Sequence, residues 1–243
     1  MIKRRKISWK IEREYLDRGE SGIIGIDEAG RGPLAGPVVA AAVLLRLDRK
    51  LPRNCFKFND SKKLSAEERE ELYSVVCENS IARGIGIVSA EEIDKINILQ
   101  ATMKAMTLAV GQLQASLDSF QPNILLIDGN YFRTELSYPF RTIIDGDAIS
   151  PSIAAASILA KVTRDKIMQD MHNIYPEYNF KQNKGYATLE HRDAISKYGQ
   201  CFEHRKSFKL KEDLTIEMEF DGPVSASSVI PNGDFLHVVQ KTM

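Results

Sequence analysis

The sequence predicts an α/β protein in which a central sheet is flanked by helices on its faces. Short apolar runs with the length of buried strands come first and then alternate with longer segments of helical pattern. Several of these apolar runs end in acidic residues, as strands do where an open α/β sheet builds a site. A hydrophobic content of 43% in 243 residues is enough to bury a substantial core.

The strands are predicted from short apolar runs and from one alternating segment. They are placed at residues 23–26, 38–45, 81–88, 124–127 and 141–144. The glycines and prolines between residues 30 and 37 predict a tight loop between the first two strands. The third strand is predicted because its apolar residues alternate with Arg83, Gly84 and Gly86.

The helices are predicted at residues 65–79, 90–117, 153–171 and 188–198. Ser65 is the predicted N-cap of the first, and Glu68 is its capping-box partner three residues later. The second helix is predicted to break near Asn97. Its predicted core residues are Ala101, Met103, Ala105, Met106 and Leu108.

Charge divides the chain into three parts. Lys and Arg together number 33, as do Asp and Glu, which excludes a uniformly basic nucleic-acid coat but allows a local basic face. Residues 1–20 are predicted to be a basic lead-in, helical in part, and residues 21–211 the main domain. The basic stretch 181–211 is a candidate surface for a nucleic-acid backbone. Residues 212–243 are predicted to be an acidic, loosely structured tail.

The cysteines argue against a disulfide framework or a zinc site. Cys55, Cys77 and Cys201 are far apart and form no CxxC pair, which fits a reducing cytoplasm. No apolar segment follows the basic N-terminus, so we expect neither a signal peptide nor a membrane span.

Acidic residues follow three of the predicted strands: Asp27-Glu28, Asp128, and Asp145 with Asp147. Each alone also fits a turn residue or a helix N-cap. Together they predict convergence on one sheet edge, where oxygen ligands without His or Cys favour Mg²⁺ or Mn²⁺. Two such ions can clamp the attacking and leaving oxygens of a phosphodiester. The adjoining Gly30-Arg31-Gly32 can bring backbone N–H groups close to a ligand.

A series of motifs resembles the bacterial ribonuclease HII branch of the type 2 ribonuclease H family. In chain order they are GIDEAGRGPLAGPVVAAAV at 25–43, DSKKLS at 60–65, EIDKINILQATMKAM at 92–106, LLIDGN at 125–130, GDAISPSIAAASILAKVTRD at 146–165, NKGYATLEHRDAI at 183–195 and HRKSF at 204–208. They cover roughly residues 21–210, and their shared order makes the resemblance specific.

The resemblance implies a ribonuclease H-like fold, with a central mixed sheet and a C-terminal helical extension. It implies an endonuclease that hydrolyses RNA paired with DNA and cuts 5′ of single ribonucleotides in duplex DNA, leaving a 3′-hydroxyl and a 5′-phosphate. It implies two divalent ions, Mg²⁺ or Mn²⁺, and a role in removing misincorporated ribonucleotides. The expected partners are RNA–DNA hybrids and ribonucleotide-containing DNA, with no membrane, and nothing requires more than a monomer.

Residue roles are implied in the same way. The implied catalytic and metal-binding residues are Asp27, Glu28, Asp128 and Asp147. The implied substrate-binding residues are Gly30, Arg31, Gly32, Ser61, Lys62, Lys184 and Tyr186. Gly30-Arg31-Gly32 matches a loop that reads the ribose 2′-hydroxyl through its backbone, and Tyr186 matches a tyrosine that stacks on the following sugar. By spacing alone, Tyr186 also fits a core tyrosine, and the Ser61–Lys63 segment fits a solvated loop.

Two positions depart from the family pattern. Asp145 stands where lysine is frequent and adds negative charge beside the predicted metal site, and Ala187 replaces the second glycine of Lys-Gly-Tyr-Gly-Thr. Three further cations, Lys161, Arg164 and Lys166, are predicted to lie on a solvated helix face. His191, His204 and Arg205 are predicted to be structural or to contact phosphate.

Two other functions fit parts of the sequence. Another nuclease of the same broad fold, such as a junction resolvase or a transposase-like enzyme, would share the acids and would cut all-DNA substrates. A non-enzymatic nucleic-acid binding module would bind without metal and without cleavage, but the acidic set disfavours it because carboxylates repel phosphate.

Overall fold

The structure, a computed structural model, describes residues 7–47 and 66–208. The strands are β1 Ile23–Ala29, β2 Val38–Leu45, β3 Ser80–Val88, β4 Ile124–Asp128 and β5 Phe140–Ile143. The helices are α1 Lys10–Leu16, α2 Ala66–Asn79, α3 Ala90–Ala115, α4 Pro151–Ile174, α5 Phe180–Asn183 and α6 Leu189–Tyr198. Short 3₁₀ turns cover Gly146–Ala148 and Pro176–Tyr178.

The strands form one mixed sheet in the order β3-β2-β1-β4-β5. The pairs β1–β2 and β2–β3 are antiparallel, whereas β1–β4 and β4–β5 are parallel. The C-terminal ends of β1, β4 and β5 therefore share one edge of the sheet.

Helices cover both faces of the sheet because the side chains of β2 alternate between them. Val38, Ala40 and neighbours at the same spacing pack with α3, while Ala41, Val43 and Leu45 pack with α2 and α4. The contact between β3 and α3 is close: a Cβ atom at Gly86 would overlap the carbonyl oxygen of Ala105. The predicted layers are confirmed.

All the predicted strands and helices are found, with differences at their ends. β1 runs on to Ala29, so Asp27 and Glu28 lie within the strand and not after it, because they pair with Ala41 and Ala40 of β2. The break at Asn97 is confirmed by its φ of 66° and ψ of 163°. The cap at Ser65 lies outside the described residues.

The core prediction for Leu108 is wrong. Its side chain is 44% exposed, whereas Ala101, Ala105 and Ala109 are fully buried. These alanines recur every four residues, which keeps them on the face of α3 that packs against the sheet. Leu108 lies off that face.

The N-terminal lead-in docks onto the domain through α1. Ile7 and Ile11 are buried, and so is the carboxylate of Glu12. Glu12 accepts hydrogen bonds from Ser150 Oγ at 2.6 Å and from the N–H of Ser152 at 3.2 Å, at the N-terminus of α4. Burial raises the pKa of Glu12. The division at residue 20 stays a prediction, and residues 212–243 lie outside the described part.

Within residues 7–47 and 66–208, no helix has the length and apolar character needed to cross a membrane.

Candidate active site

Two acidic side chains meet at the edge that the parallel strands share. Asp27 lies in β1 and Asp128 ends β4. The last paired residues of these strands are Ile26 and Ile127, so the next position on each strand is an aspartate. Glu28 follows directly in β1. The structure therefore brings Asp27, Glu28 and Asp128 together from segments 100 residues apart, roughly as the strand ends predict.

Asp27 is crowded by negative charge and shielded from water. Its side chain is 5% exposed, and its Oδ1 accepts the N–H of Glu28 at 2.7 Å. Burial raises the pKa of Asp27 well above its ordinary value, and the charges of Glu28 and Asp128 raise it further, against a hydrogen bond from Ser157. An ionised Asp27 thus lacks the compensation that a cation would supply.

Glu28 has a partial counter-charge. Burial raises its pKa, and Arg31 opposes this effect, with Nη1 donating to Glu28 Oε1 at 3.2 Å. The Arg31 side chain is half exposed. Because the opposing effect does not outweigh burial, the pKa of Glu28 stays raised.

Asp147 lies beside this group in the 3₁₀ turn after β5. The N–H of the preceding Gly146 donates to Asp128 Oδ1 at 2.7 Å, which ties the turn to the end of β4. Asp145 is exposed and left-handed, with a φ of 55°, a conformation that aspartate tolerates better than most residues.

The donor set fits a hard cation. Carboxylate oxygens are the ligands that Mg²⁺ and Mn²⁺ prefer, and a cation would offset the burial and the neighbouring charges that raise the pKa of Asp27. In the described part of the chain, however, no three Asp, Glu, His or Cys side chains are already arranged to hold a metal ion. Metal binding by the four acids stays a prediction.

The loop 30–32 and Tyr186 lie side by side next to the acids. A Cβ atom at Gly32 would lie 3.8 Å from Tyr186 Cε1, in otherwise open space. The N–H of Leu34 donates to the carbonyl of Gly185 at 2.8 Å, which joins the two segments. Tyr186 is 48% exposed, so the alternative of a core tyrosine is wrong.

The remaining predicted contacts have mixed outcomes. Lys184 is half-buried, and its carbonyl accepts Arg164 Nη1 at 3.0 Å. Ser61 and Lys62 lie outside the described residues.

Lys161 pairs with Asp165 at 2.6 Å on α4. Arg164 is only 1% exposed, so its prediction as part of a solvated face is wrong. The one sequence signal for its burial is that Ile167 and Met168, three and four residues later, lie on the same side of the helix.

A buried histidine pair supports the backbone of Tyr186. The N–H of Cys201 donates to His204 Nδ1 at 3.0 Å, so the proton of a neutral His204 ring is on Nε2. This proton faces His191 Nε2 at 3.1 Å, which leaves the proton of His191 on Nδ1, 2.8 Å from the carbonyl oxygen of Tyr186. The bond from Cys201 requires a neutral His204, and the bond between the two rings requires an unprotonated Nε2 on His191.

We expect acid to weaken the fold through this relay. Burial and His191 lower the pKa of His204 to about 4, from 6.5 in the unfolded chain. Between pH 6.5 and pH 4, the imidazole of His204 therefore binds a proton in the unfolded state but not in the folded state. The free energy of unfolding falls as the pH decreases through this range. Between pH 7 and pH 5, the unfolding free energy from urea titrations should fall by about 2 kcal/mol more in the wild type than in His204→Asn. Equal falls would contradict the relay.

One family model and several known proteins match most of this chain. The family model described as Ribonuclease HII matches residues 24–211. A ribonuclease HII of Syntrophus aciditrophicus is 51% identical over 200 residues, covering 82% of this chain and 90% of that protein. A ribonuclease HII of Acetivibrio thermocellus is 52% identical over 199 residues, covering 81% of this chain and 73% of that protein.

Solved structures share the fold. The ribonuclease H2 of Pyrococcus horikoshii has a TM-score of 0.62 at 23% identity, covering 77% of this chain and 93% of that one. The ribonuclease HII of Archaeoglobus fulgidus, solved in a complex with PCNA, has a TM-score of 0.62 at 24% identity, covering 78% and 96%. The predicted ribonuclease H-like fold is confirmed.

Proposed function

This chain belongs to the ribonuclease HII family, and from that premise we propose that it cuts duplex DNA on the 5′ side of an embedded ribonucleotide. Enzymes of this family are nucleases that cleave the RNA strand of RNA–DNA hybrids. The proposed cut beside an embedded ribonucleotide leaves a 3′-hydroxyl and a 5′-phosphate, and it serves the removal of misincorporated ribonucleotides.

One observation carries this proposal. An acidic sheet edge, a loop with an open backbone and an exposed aromatic ring lie next to one another in one region of the surface. The acids suit chemistry on a phosphodiester, and the open backbone at Gly32 suits contact with a ribose 2′-hydroxyl, the group that distinguishes RNA from DNA. In this proposal, the exposed ring of Tyr186 stacks on the next sugar.

The chain's residues have separate tasks in the proposed reaction. Asp27, Glu28, Asp128 and Asp147 would hold two divalent ions, Mg²⁺ or Mn²⁺. When bound, these ions supply a water of lowered pKa and neutralise charge on the leaving 3′-oxygen. The Arg31 side chain limits the repulsion between Glu28 and a phosphate. The backbone of residues 30–32 and the ring of Tyr186 orient the ribonucleotide, and no covalent intermediate with the protein forms.

The metal proposal rests on the acids of this chain. Among proteins that share the fold, a Bst ribonuclease HIII was solved in complex with Mn²⁺, with a TM-score of 0.59 at 18% identity. We further propose that the enzyme acts as a monomer, since the acids and the loop 30–32 come from one chain. We also propose that it works in a reducing cytoplasm, which fits the free thiols of Cys77 and Cys201.

The direct test is cleavage of a DNA duplex with a single ribonucleotide, mapped to one nucleotide, in Mg²⁺, in Mn²⁺ and in EDTA. We expect a metal-dependent cut on the 5′ side of the ribonucleotide and none in an all-DNA duplex. Cleavage of long RNA–DNA hybrids without a cut at the single ribonucleotide would refute the proposed activity on embedded ribonucleotides. Cleavage of all-DNA duplexes would favour a different nuclease.

Tyr186→Ala should lose activity mainly at isolated ribonucleotides. Stacking between an aromatic side chain and a nucleic acid is worth about 1–3 kcal/mol, so we expect roughly a tenfold or larger fall in kcat/KM on that substrate. Tyr186→Phe keeps the ring and is the matched control. The measurement compares single-ribonucleotide duplexes with long hybrids, and an equal loss on both would argue against junction sensing.

A further inference from the structure

Two arginines are buried between the loop 30–37 and the C-terminal extension. Arg205 is fully buried and Arg164 is 1% exposed. Both are long cations that rarely lie inside a protein without a specific purpose. Their positions behind the proposed substrate-reading elements, and not within the substrate-facing surface, call for an explanation that phosphate contact does not give.

Arg205 bonds to the loop through its whole guanidinium. Its Nε donates to Gly36 O at 3.0 Å, and its Nη1 donates to Arg31 O at 3.0 Å and to Pro33 O at 2.8 Å. Its Nη2 donates to Gly30 O at 2.5 Å and to Gly36 O at 2.8 Å. The acceptors are all main-chain carbonyls between residues 30 and 36, so one side chain determines the path of this loop.

Arg164 links the same loop to the Tyr186 segment. Its Nε donates to Pro37 O at 3.0 Å, its Nη2 to Ala35 O at 3.2 Å and its Nη1 to Lys184 O at 3.0 Å. Burial lowers the pKa of Arg205, and the nearby charge of Arg164 lowers it further. Holding two like charges together is unfavourable, so a general packing role would be better served by apolar side chains.

The carbonyl bonds also determine where the N–H groups of the loop point. In a trans peptide the C=O and the N–H of one unit point in opposite directions, and the described residues contain no cis bond. The carbonyls of Gly30 and Arg31 point inward to Arg205. The N–H groups of Arg31 and Gly32, which belong to the same two peptide units, therefore point away from the guanidinium and toward the exposed side.

We propose that Arg205 and Arg164 are positioning residues that aim the N–H groups of Arg31 and Gly32 at the ribose 2′-oxygen and hold them in register with Tyr186. This inference rests on the proposed function and deepens it. It assigns ribose selectivity to two side chains that never touch the substrate. The positive charge of the pair, close beneath the loop, also favours an electronegative group in front of those N–H donors.

The test uses the full chain and a set of duplexes that differ at one sugar, either ribose or 2′-fluoro-deoxyribose. Fluorine accepts hydrogen bonds weakly, so the wild type should prefer ribose. Arg205→Lys keeps the charge but lacks the planar fork. We expect it to reduce the preference in kcat/KM about tenfold, the value of one well-aimed hydrogen bond. The rise in melting temperature on adding Mg²⁺ should stay, because the acids are untouched.

Two further variants separate positioning from stability. Leu113→Ala removes a buried side chain of α3 from the core between that helix and the sheet, and it should lower the melting temperature without changing the sugar preference. Arg164→Lys keeps every bond of Arg205 and should also reduce the preference, so the test survives if Arg205→Lys does not fold.

The outcomes distinguish the two proposals. If the wild type does not cut beside the single ribonucleotide, the proposed function fails, and this inference fails with it. If the wild type cuts there and both lysine variants keep the full sugar preference, the proposed function stands and the positioning role is overturned. A reduced preference in Leu113→Ala equal to that of the arginine variants would also overturn it.

Discussion

Asp27→Asn should lower the cleavage rate in Mg²⁺ by about three orders of magnitude or more. A metal ion at a reacting phosphate contributes several kcal/mol, and each 1.36 kcal/mol is tenfold in rate. Asp27 is the most buried of the four acids and adjoins two of the others. Its neutral amide would therefore weaken the whole metal site. The measurement is single-turnover cleavage of a single-ribonucleotide duplex, and near-normal turnover would refute the assignment.

The same substitution should stabilise the metal-free protein. The pKa of Asp27 is raised in the folded state, so the folded state binds more protons than the unfolded state above pH 3.8, and stability falls as the pH rises from there. Asparagine removes this penalty. At pH 8 without metal, Asp27→Asn should melt higher than the wild type, and only the wild type should gain stability from Mg²⁺. Asp118→Asn, an exposed acid in the loop before β4, is the control and should change neither quantity.

Gly30→Ala should lower kcat/KM roughly 100-fold, because a displacement near 1 Å at a positioning element costs about that much. Gly30 has a φ of +95°, and a Cβ atom there would overlap Nε and Cδ of Arg164 and lie 2.7 Å from Pro37 O. The added methyl group must push Arg164 or the loop aside. The glycine is therefore required on the inner side of the loop, whereas the open space at Gly32 lies on the outer side.

A matched control separates strain from displacement. Gly19 also has a positive φ, +81°, and a Cβ atom there would meet nothing within 4 Å. Gly19→Ala carries the conformational cost alone, about 1 kcal/mol of stability, and should keep its activity. If Gly30→Ala and Gly19→Ala lose stability equally and both cleave normally, the packing of Arg164 against Gly30 is unimportant for activity.

Local sequence patterns were sufficient for most of the fold. Apolar runs such as Ile124–Ile127 and the alternation in Ile81–Val88 predicted strands because burial on one or both faces dictates those patterns. The break near Asn97 was also predicted from the sequence. The acids could be grouped because parallel strands align their C-terminal ends, although the extension of β1 through Asp27 depends on pairing with β2, which no local pattern contains.

Long-range polar contacts could not be predicted. Arg164 lies in a helix with Lys161 and Lys166, and apart from the spacing of Ile167 and Met168 its local pattern resembles that of these two lysines. Two of its partners, the carbonyls of Pro37 and Ala35, lie more than 100 residues earlier in the chain. Glu12 likewise resembles a surface glutamate but caps α4 from inside the protein. Such side chains are identified only when the folded backbone leaves carbonyl or N–H groups that need a partner.

The docking of the C-terminal segment on the loop has a consequence for synthesis on the ribosome. Ala35 and His204 form an isolated antiparallel β-bridge. The N–H of Gly36 donates to the carbonyl of Glu203, and the N–H of Arg205 donates to the carbonyl of Leu34, each at 2.8 Å. The sheet can pair as soon as β5 has emerged, but the loop gains these partners only some 60 residues later. A nascent chain thus carries the acidic edge well before the loop 30–36 has these partners, which would delay the proposed cleavage beside a ribonucleotide until the segment 203–205 has emerged.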